Sequence, residues 1–175
     1  MHLPRHSTHR AGFSLIELVV VMLIMTILAG VVAPRLGSYQ ERTRDTRRMQ
    51  DLKTVQSAVE QYKLDTGQFP VANTNSSFGG WDVSHDGDFI SVLVQEGYLM
   101  APVMDPVSDG TYHFRYYVYN KGSYGCVGAD SYYVLGIRNF ETQSAIDDFQ
   151  GAFACTSRDW ANEFAYVTGG GASYQ

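Results

Sequence analysis

Apolar residues run almost unbroken from Phe13 to Ala33, then recur at helical spacing, and finally alternate with polar ones in short bursts. The first run is 21 residues with one charge, Glu17. At about 1.5 Å per helical residue it reaches roughly 31 Å, the thickness of a bilayer's hydrocarbon core. Thirteen of the 21 are Leu, Ile, Val or Phe. At about −0.3 to −0.6 kcal/mol each they outweigh the few kcal/mol that the carboxylate costs, so the stretch is predicted to span a membrane. After Pro34 the apolar positions Leu36, Tyr39, Thr43, Met49, Leu52, Val55, Val59 and Tyr62 fall mostly three or four apart, with charges between them. That rhythm predicts an amphipathic helix continuing the first run and stopping near Asp65-Thr66-Gly67, with Pro70 as a second stop signal. Pro34 removes one backbone donor and is expected to loosen the helix without ending it.

Beyond the helix, Ala72 to Gly80 is a loop rich in Asn, Ser and Gly, and Asp88 to Gly97 reads as a short helix with Asp88 near its N-cap. Tyr112 to Tyr119 alternates and is dense in β-formers, Asn120 to Ser123 supplies a turn, Tyr132 to Ile137 is the next strand, and Glu163 to Val167 a weaker third. Gly169 to Gln175 reads as a frayed tail. The expected fold is α+β, a long N-terminal helix packed on a small antiparallel sheet. The expected divisions are residues 1–12, 13–34, 35–66 and a head of 67–175, a length that suits one domain.

Charge is distributed unevenly. Residues 35–53 hold six basic side chains against three acidic ones, whereas residues 67–175 hold four against twelve, a balance of −8. An acidic head argues against general nucleic-acid binding. The arginine-rich turn from Arg42 to Arg48 reads as a solvated face, with contact to the acidic heads of neighbouring chains or to lipid phosphates as the alternative. Met1 to Gly12 carries Arg5, Arg10, three histidines and no acid, which suits a leader removed before the protein works. A count of positive charges alone would place the far side of the span in the cytoplasm, so charge does not set the orientation.

Glu17 invites two readings. Ser14-Leu15-Ile16-Glu17 has the spacing of a capping box, in which the Glu reaches back to the first free N–H groups of the helix. Alternatively, a carboxylate in hydrocarbon calls for a cation, and here it would come from another chain. No signature of a hydrolase nucleophile, a zinc protease, a P-loop or a dinucleotide fold is present. His85 and His113 are scattered in sequence, and no C-x-x-C or H-x-x-x-H spacing suggests a metal site.

Gly12-Phe13-Ser14-Leu15-Ile16-Glu17, the apolar run and Pro34 resemble the N-terminus of type IV pilins and of the pseudopilins of type II secretion. Tyr62 to Pro70 (YKLDTGQFP) and Gly97 to Pro106 (GYLMAPVMDP) extend the resemblance, although Val107 stands where an aromatic often follows. The resemblance implies cleavage between Gly12 and Phe13 by a prepilin peptidase, N-methylation of Phe13, and pairing of Glu17 with the α-amine of a neighbouring subunit during filament assembly. It implies as partners further copies of the chain in a helical filament, other minor pilins, an assembly ATPase and an inner-membrane platform. The chain would be a single-pass inner-membrane protein with its head outside the cytoplasm, then part of a periplasmic or extracellular filament.

Cys126 and Cys155, the only cysteines, would then meet an oxidising compartment in which two thiols pair. In the major pseudopilins a calcium ion sits in the loop after the second sheet strand. Ser144, Asp147 and Asp148 fall at a similar place and offer hard oxygen ligands, the alternative being an ordinary solvated loop. Ile137-Arg138-Asn139-Phe140 departs from the glycine- and acid-rich run typical there. The resemblance implies a structural filament subunit of a pilus or pseudopilus. The second reading is a minor, tip-located pilin whose tyrosine-rich head binds DNA, surfaces or secreted proteins, and an enzyme is the weakest class.

Overall fold

The computed structural model describes residues 13–173, with the side chains of 31–36, 129–130 and 172–173 left aside. Helix α1 is continuous from Leu15 to Thr66, so its backbone stays helical through Pro34. The chain divides into two compact units, one ending at Tyr39 and one beginning at Gln40.

Within the first unit α1 from Leu15 to Gly30 is apolar on all sides apart from Glu17, and its side chains there are exposed. Leu18, Val19, Val20, Val21, Leu23, Ile24 and Leu28 are all about half exposed or more. A helix hydrophobic all round belongs inside a membrane or inside the core of an assembly. Among the described residues no helix is long and apolar enough to cross a membrane. The apolar run with described side chains, Leu15 to Gly30, reaches only about 24 Å, and the remainder of the predicted span falls at 31–33, where side chains are not described.

The second unit has its own core. From Gln40 onward α1 buries Met49, Leu52, Val55 and Val59 of the predicted stripe together with Ala58, but Thr43 on that stripe is exposed and Asp45 and Arg48 are buried in its place. Strands β1 (Asp82–Val83), β2 (Phe114–Asn120), β3 (Val127–Ile137) and β6 (Tyr166–Ser173) form one antiparallel sheet in the order β1-β2-β3-β6. Strands β4 (Ala154–Cys155) and β5 (Arg158–Asp159) make a separate small hairpin. Helices α2 (Ser91–Gln95) and α3 (Gln143–Asp148) are short. The predicted helix over Asp88 to Gly97 contracts to α2 because Ile90 before it takes a left-handed conformation, φ 43°, and the Asp88 carbonyl accepts a turn bond from Ser91 N–H and a bond from Asn73 Nδ2 instead of a helical one.

The sheet is covered on both faces. Phe114, Tyr116, Tyr133, Leu135 and Ile137 join the core that includes the α1 stripe. Val83, Tyr132, Val134 and Val167 join a second core with Trp81, Phe153, Trp160 and Phe164. The covering layer is the irregular segment around β4 and β5, tied to the start of β3 by a Cys126–Cys155 disulfide with Cα atoms 4.9 Å apart. In the chain-entropy account such a bridge stabilises by about 3–4 kcal/mol.

The C-terminal segment corrects the expectation of a frayed tail. Thr168-Gly169-Gly170-Gly171 is strand, with Gly169 opposite Val134 and Gly170 opposite Tyr133. Its glycines leave room for neighbouring rings: a Cβ at Gly169 would fall into the Phe153 ring, and one at Gly170 would lie 2.8 Å from that of Tyr133. Low β-propensity marks close packing here rather than disorder.

Candidate functional site

The N-terminal end of α1 carries the first group of predicted residues. Gly12 lies outside the described residues. Phe13 precedes the helix and is 86% exposed, and Glu17 sits exposed in the first turn, with Leu18 N–H donating to the Ser14 carbonyl at 3.2 Å. Phe13, Glu17, Leu18 and Val21 line a shallow apolar recess of about 230 Å³. Among the described residues no side-chain hydrogen bond or ion pair is made by Glu17, so the reciprocal bonds of a capping box are not what holds it. Glu17 thus lies beside an apolar surface with no ion-pair partner among the described residues.

Cys126 and Cys155 are brought together as expected. Ser144, Asp147 and Asp148 share α3, where Ser144 Oγ donates to Thr142 Oγ1, Asp147 accepts from Gln143 Nε2 at 3.0 Å, and Asp148 pairs with exposed Arg42 at 3.3 Å. Among the described residues no group of three or more His, Cys, Asp or Glu side chains is placed to hold a metal ion. Arg138 directs its guanidinium to the Glu163 carbonyl.

The arginine-rich turn is not simply a solvated face. Arg48 is fully buried and binds Asp105 in bidentate fashion, Nε to Oδ2 at 2.6 Å and Nη2 to Oδ1 at 2.8 Å, while Nη1 donates to Asp45 and to Glu141, each at 2.7 Å. Asp45 also accepts from Glu141 N–H, Thr142 N–H and Thr142 Oγ1. Arg44 forks onto Glu141. Burial works against the Arg48 charge, but hydrogen bonds to Asp105, Glu141 and Asp45 outweigh it and raise its pKa; hydrogen bonding from Arg44 chiefly lowers that of Glu141. The network fixes to α1 both the loop at Asp105 and the loop after β3. Sequence pattern misses it because long-range ion pairs leave no periodic trace.

His85 and His113, set apart in the sequence, lie with ring centroids 5.2 Å apart beside Phe78. His113 Nε2 accepts from Arg115 Nε at 2.9 Å, so the ring is neutral and its Nδ1 donates to the Asp109 carbonyl. Burial first, and Arg115 next, lower its pKa to about 4.

Residues 7–33 match the family described as a prokaryotic N-terminal methylation motif. The chain is similar to proteins named type II secretion system core protein G: 32% identical over 69 residues to that of Escherichia coli K12 (39% of this chain, 48% of the relative). The figures are 38% over 61 residues for Pseudomonas aeruginosa (35% and 43%) and 33% over 64 for Vibrio cholerae (37% and 44%). The alignments thus span less than half the length of these relatives. No solved structure matches.

Proposed function

We propose that this chain, which belongs to the type IV pilin and pseudopilin family, is a structural subunit of a type II secretion pseudopilus, anchored in the inner membrane before assembly and held in the filament by its N-terminal helix. The family is a structural one and not an enzyme's. The observation that carries the proposal is the helix from Leu15 to Gly30: apolar all round and exposed, it bears one carboxylate, Glu17, with no partner among the described residues. Filament packing covers the apolar surface, and the methylated Phe13 amine of a neighbour supplies the cation. Processing by a prepilin peptidase creates that amine, and an assembly ATPase with a membrane platform drives insertion. Filament subunits of other kinds are the remaining partners.

The test has two parts. The intact mass of the native protein is expected to correspond to a chain beginning at N-methylated Phe13; a chain that keeps residues 1–12, or one cut beyond Ala33, overturns the reading. Glu17→Gln is expected to be processed and membrane-bound normally, yet to give far fewer sheared filaments. A charge-assisted bond is roughly twice as strong as a neutral one, whereas a capping role tolerates Gln. Wild-type filament yield from Glu17→Gln would return Glu17 to a capping role.

A further inference from the structure

Strand β2 has two edges, and only one is fully paired. Toward β3 the ladder is complete, from Phe114 opposite Ile137 to Asn120 opposite Ser131. On the other side β1 supplies just Asp82 opposite Tyr116 and Val83 opposite Arg115, extended by Ser84 N–H donating to the Phe114 carbonyl at 3.1 Å. Successive residues in a strand direct their N–H and C=O to opposite edges. Arg138 N–H, continuing β3, donates to the His113 carbonyl at 3.0 Å. Odd-numbered residues from His113 therefore face β3, and even-numbered ones from Phe114 face β1. Val118 and Asn120 aim their backbone groups past the end of β1. The chain before Asp82 has turned away there, with Gly80 N–H on the Asn75 carbonyl and Trp81 N–H on that of Phe78. Among the described residues nothing hydrogen-bonds to the Val118 and Asn120 backbone on this edge.

This open edge borders a cleft of about 370 Å³ lined by Tyr117, Val118, Tyr119, Asn120, Ser123 and Tyr124, none of which carries a formal charge. Its wall is aromatic. The Tyr117 and Tyr119 rings lie 4.6 Å apart, with Trp81 5.9 Å from Tyr117 and Tyr124 5.5 Å from Tyr119. Tyr124 holds a left-handed backbone, φ 54°, uncommon outside glycine, and Arg158 clamps its ring from 4.7 Å and donates to its hydroxyl at 2.7 Å.

We propose that this edge receives an extended, uncharged segment of another protein, added as a strand beside β2. Donor and acceptor pairs on every second residue, about 7 Å apart, match an extended polypeptide. A sugar or a nucleic acid has no such repeat. The aromatic wall takes the alternate side chains of the incoming strand. A second copy of the head pairing through the same edge would bring together two acidic surfaces, residues 67–175 of each copy carrying a net charge of −8, which opposes self-pairing. The proposal does not depend on how the filament assembles.

The probe is a capped hexapeptide of alternating threonine and valine, titrated into the ¹⁵N-labelled full chain in detergent micelles. Saturable shifts and slowed hydrogen exchange are expected at the Val118 and Asn120 amides. Asn120→Pro removes an outward donor while sparing the β3 ladder. It is expected to weaken binding about tenfold, the loss of roughly one hydrogen bond. The same peptide N-methylated at every second residue is expected not to bind. The proposal fails if no saturable shift appears, if the methylated peptide binds as well, or if Asn120→Pro binds unchanged. It also fails if, without peptide, these amides become protected as the protein dimerises. Should Asn120→Pro lose the wild-type circular dichroism spectrum, the comparison of the two peptides on the wild-type chain decides.

Discussion

Removing Arg48 would leave Asp45, Asp105 and Glu141 clustered without the cation that three of them share. Arg48→Met is therefore expected to destabilise the head by about 3–5 kcal/mol in urea unfolding, the cost of an uncompensated buried charge. Arg48→Lys, which keeps charge but loses the bidentate fork, should fall between. Two other buried groups act in opposite directions with pH. Burial raises the Asp82 carboxyl to about 7, against the backbone N–H groups of Asn73 and Ile90 that favour its charge. With a folded pKa above the unfolded value, its contribution is complete at low pH and is lost as pH rises through 7. His113, lowered to about 4, is fully favourable above its unfolded pKa near 6.5 and loses that contribution as pH falls toward 4. Between pH 6.5 and 4 the two slopes oppose each other. Asp82→Asn keeps an acceptor for both N–H groups, so it should stabilise by about 1–3 kcal/mol at pH 8. It should also steepen the acid loss below pH 6.5, as measured by unfolding midpoints across that range.

At the scale of elements, β6 is the informative case. It is an edge strand built on Gly169, Gly170 and Gly171 because the rings of Phe153, Tyr133 and Phe69, respectively, pack directly on its backbone. Gly170→Val would raise intrinsic β-propensity yet meet the Tyr133 ring, and overpacking of this kind costs about 1–3 kcal/mol. A lower melting temperature for Gly170→Val than for the wild type checks this; an unchanged or higher one would mean that propensity governs the strand. The β2 register was partly legible, since Phe114 and Tyr116 alternate with Arg115 and Tyr117 as expected of a half-buried strand. Strand β3 is buried on both faces, with Tyr132 and Val134 on one and Tyr133 and Leu135 on the other. Its apolar run therefore carried no alternation to read.

The whole molecule divides at the point where α1 stops being apolar all round. The unit from Gln40 onward contains both cores, the disulfide and the Arg48 network, whereas among the described residues the unit up to Tyr39 contributes no buried hydrophobic one. A fragment beginning at Gln40 is therefore expected to be soluble and to unfold cooperatively, with a melting temperature within about 2–4 °C of the head in the full chain, a shift worth about 1 kcal/mol. Calorimetry on the two proteins tests it. Loss of folding in the fragment would show that the first unit supports the head.

The sequence by itself determined what depends on neighbours in the chain: the uninterrupted apolar run with its lone Glu17, the amphipathic stripe through Met49, Leu52, Val55 and Val59, the helix stop at Thr66, and the strands around Phe114 to Tyr119 and Tyr132 to Ile137. Periodicity and capping are local properties, and the Gly12-Phe13 motif is contiguous, so both are written in the order of residues alone. Tertiary structure alone decided which polar residues enter the interior. It placed Asp45 and Arg48 on the buried stripe, brought His85 against His113 across the loop from β1 to β2, and turned a glycine-rich end into a strand. It also folded the irregular stretch before β6 into a second layer over the sheet. Each of these rests on contacts between residues tens of positions apart, where ion pairing, ring packing and backbone pairing override local propensity.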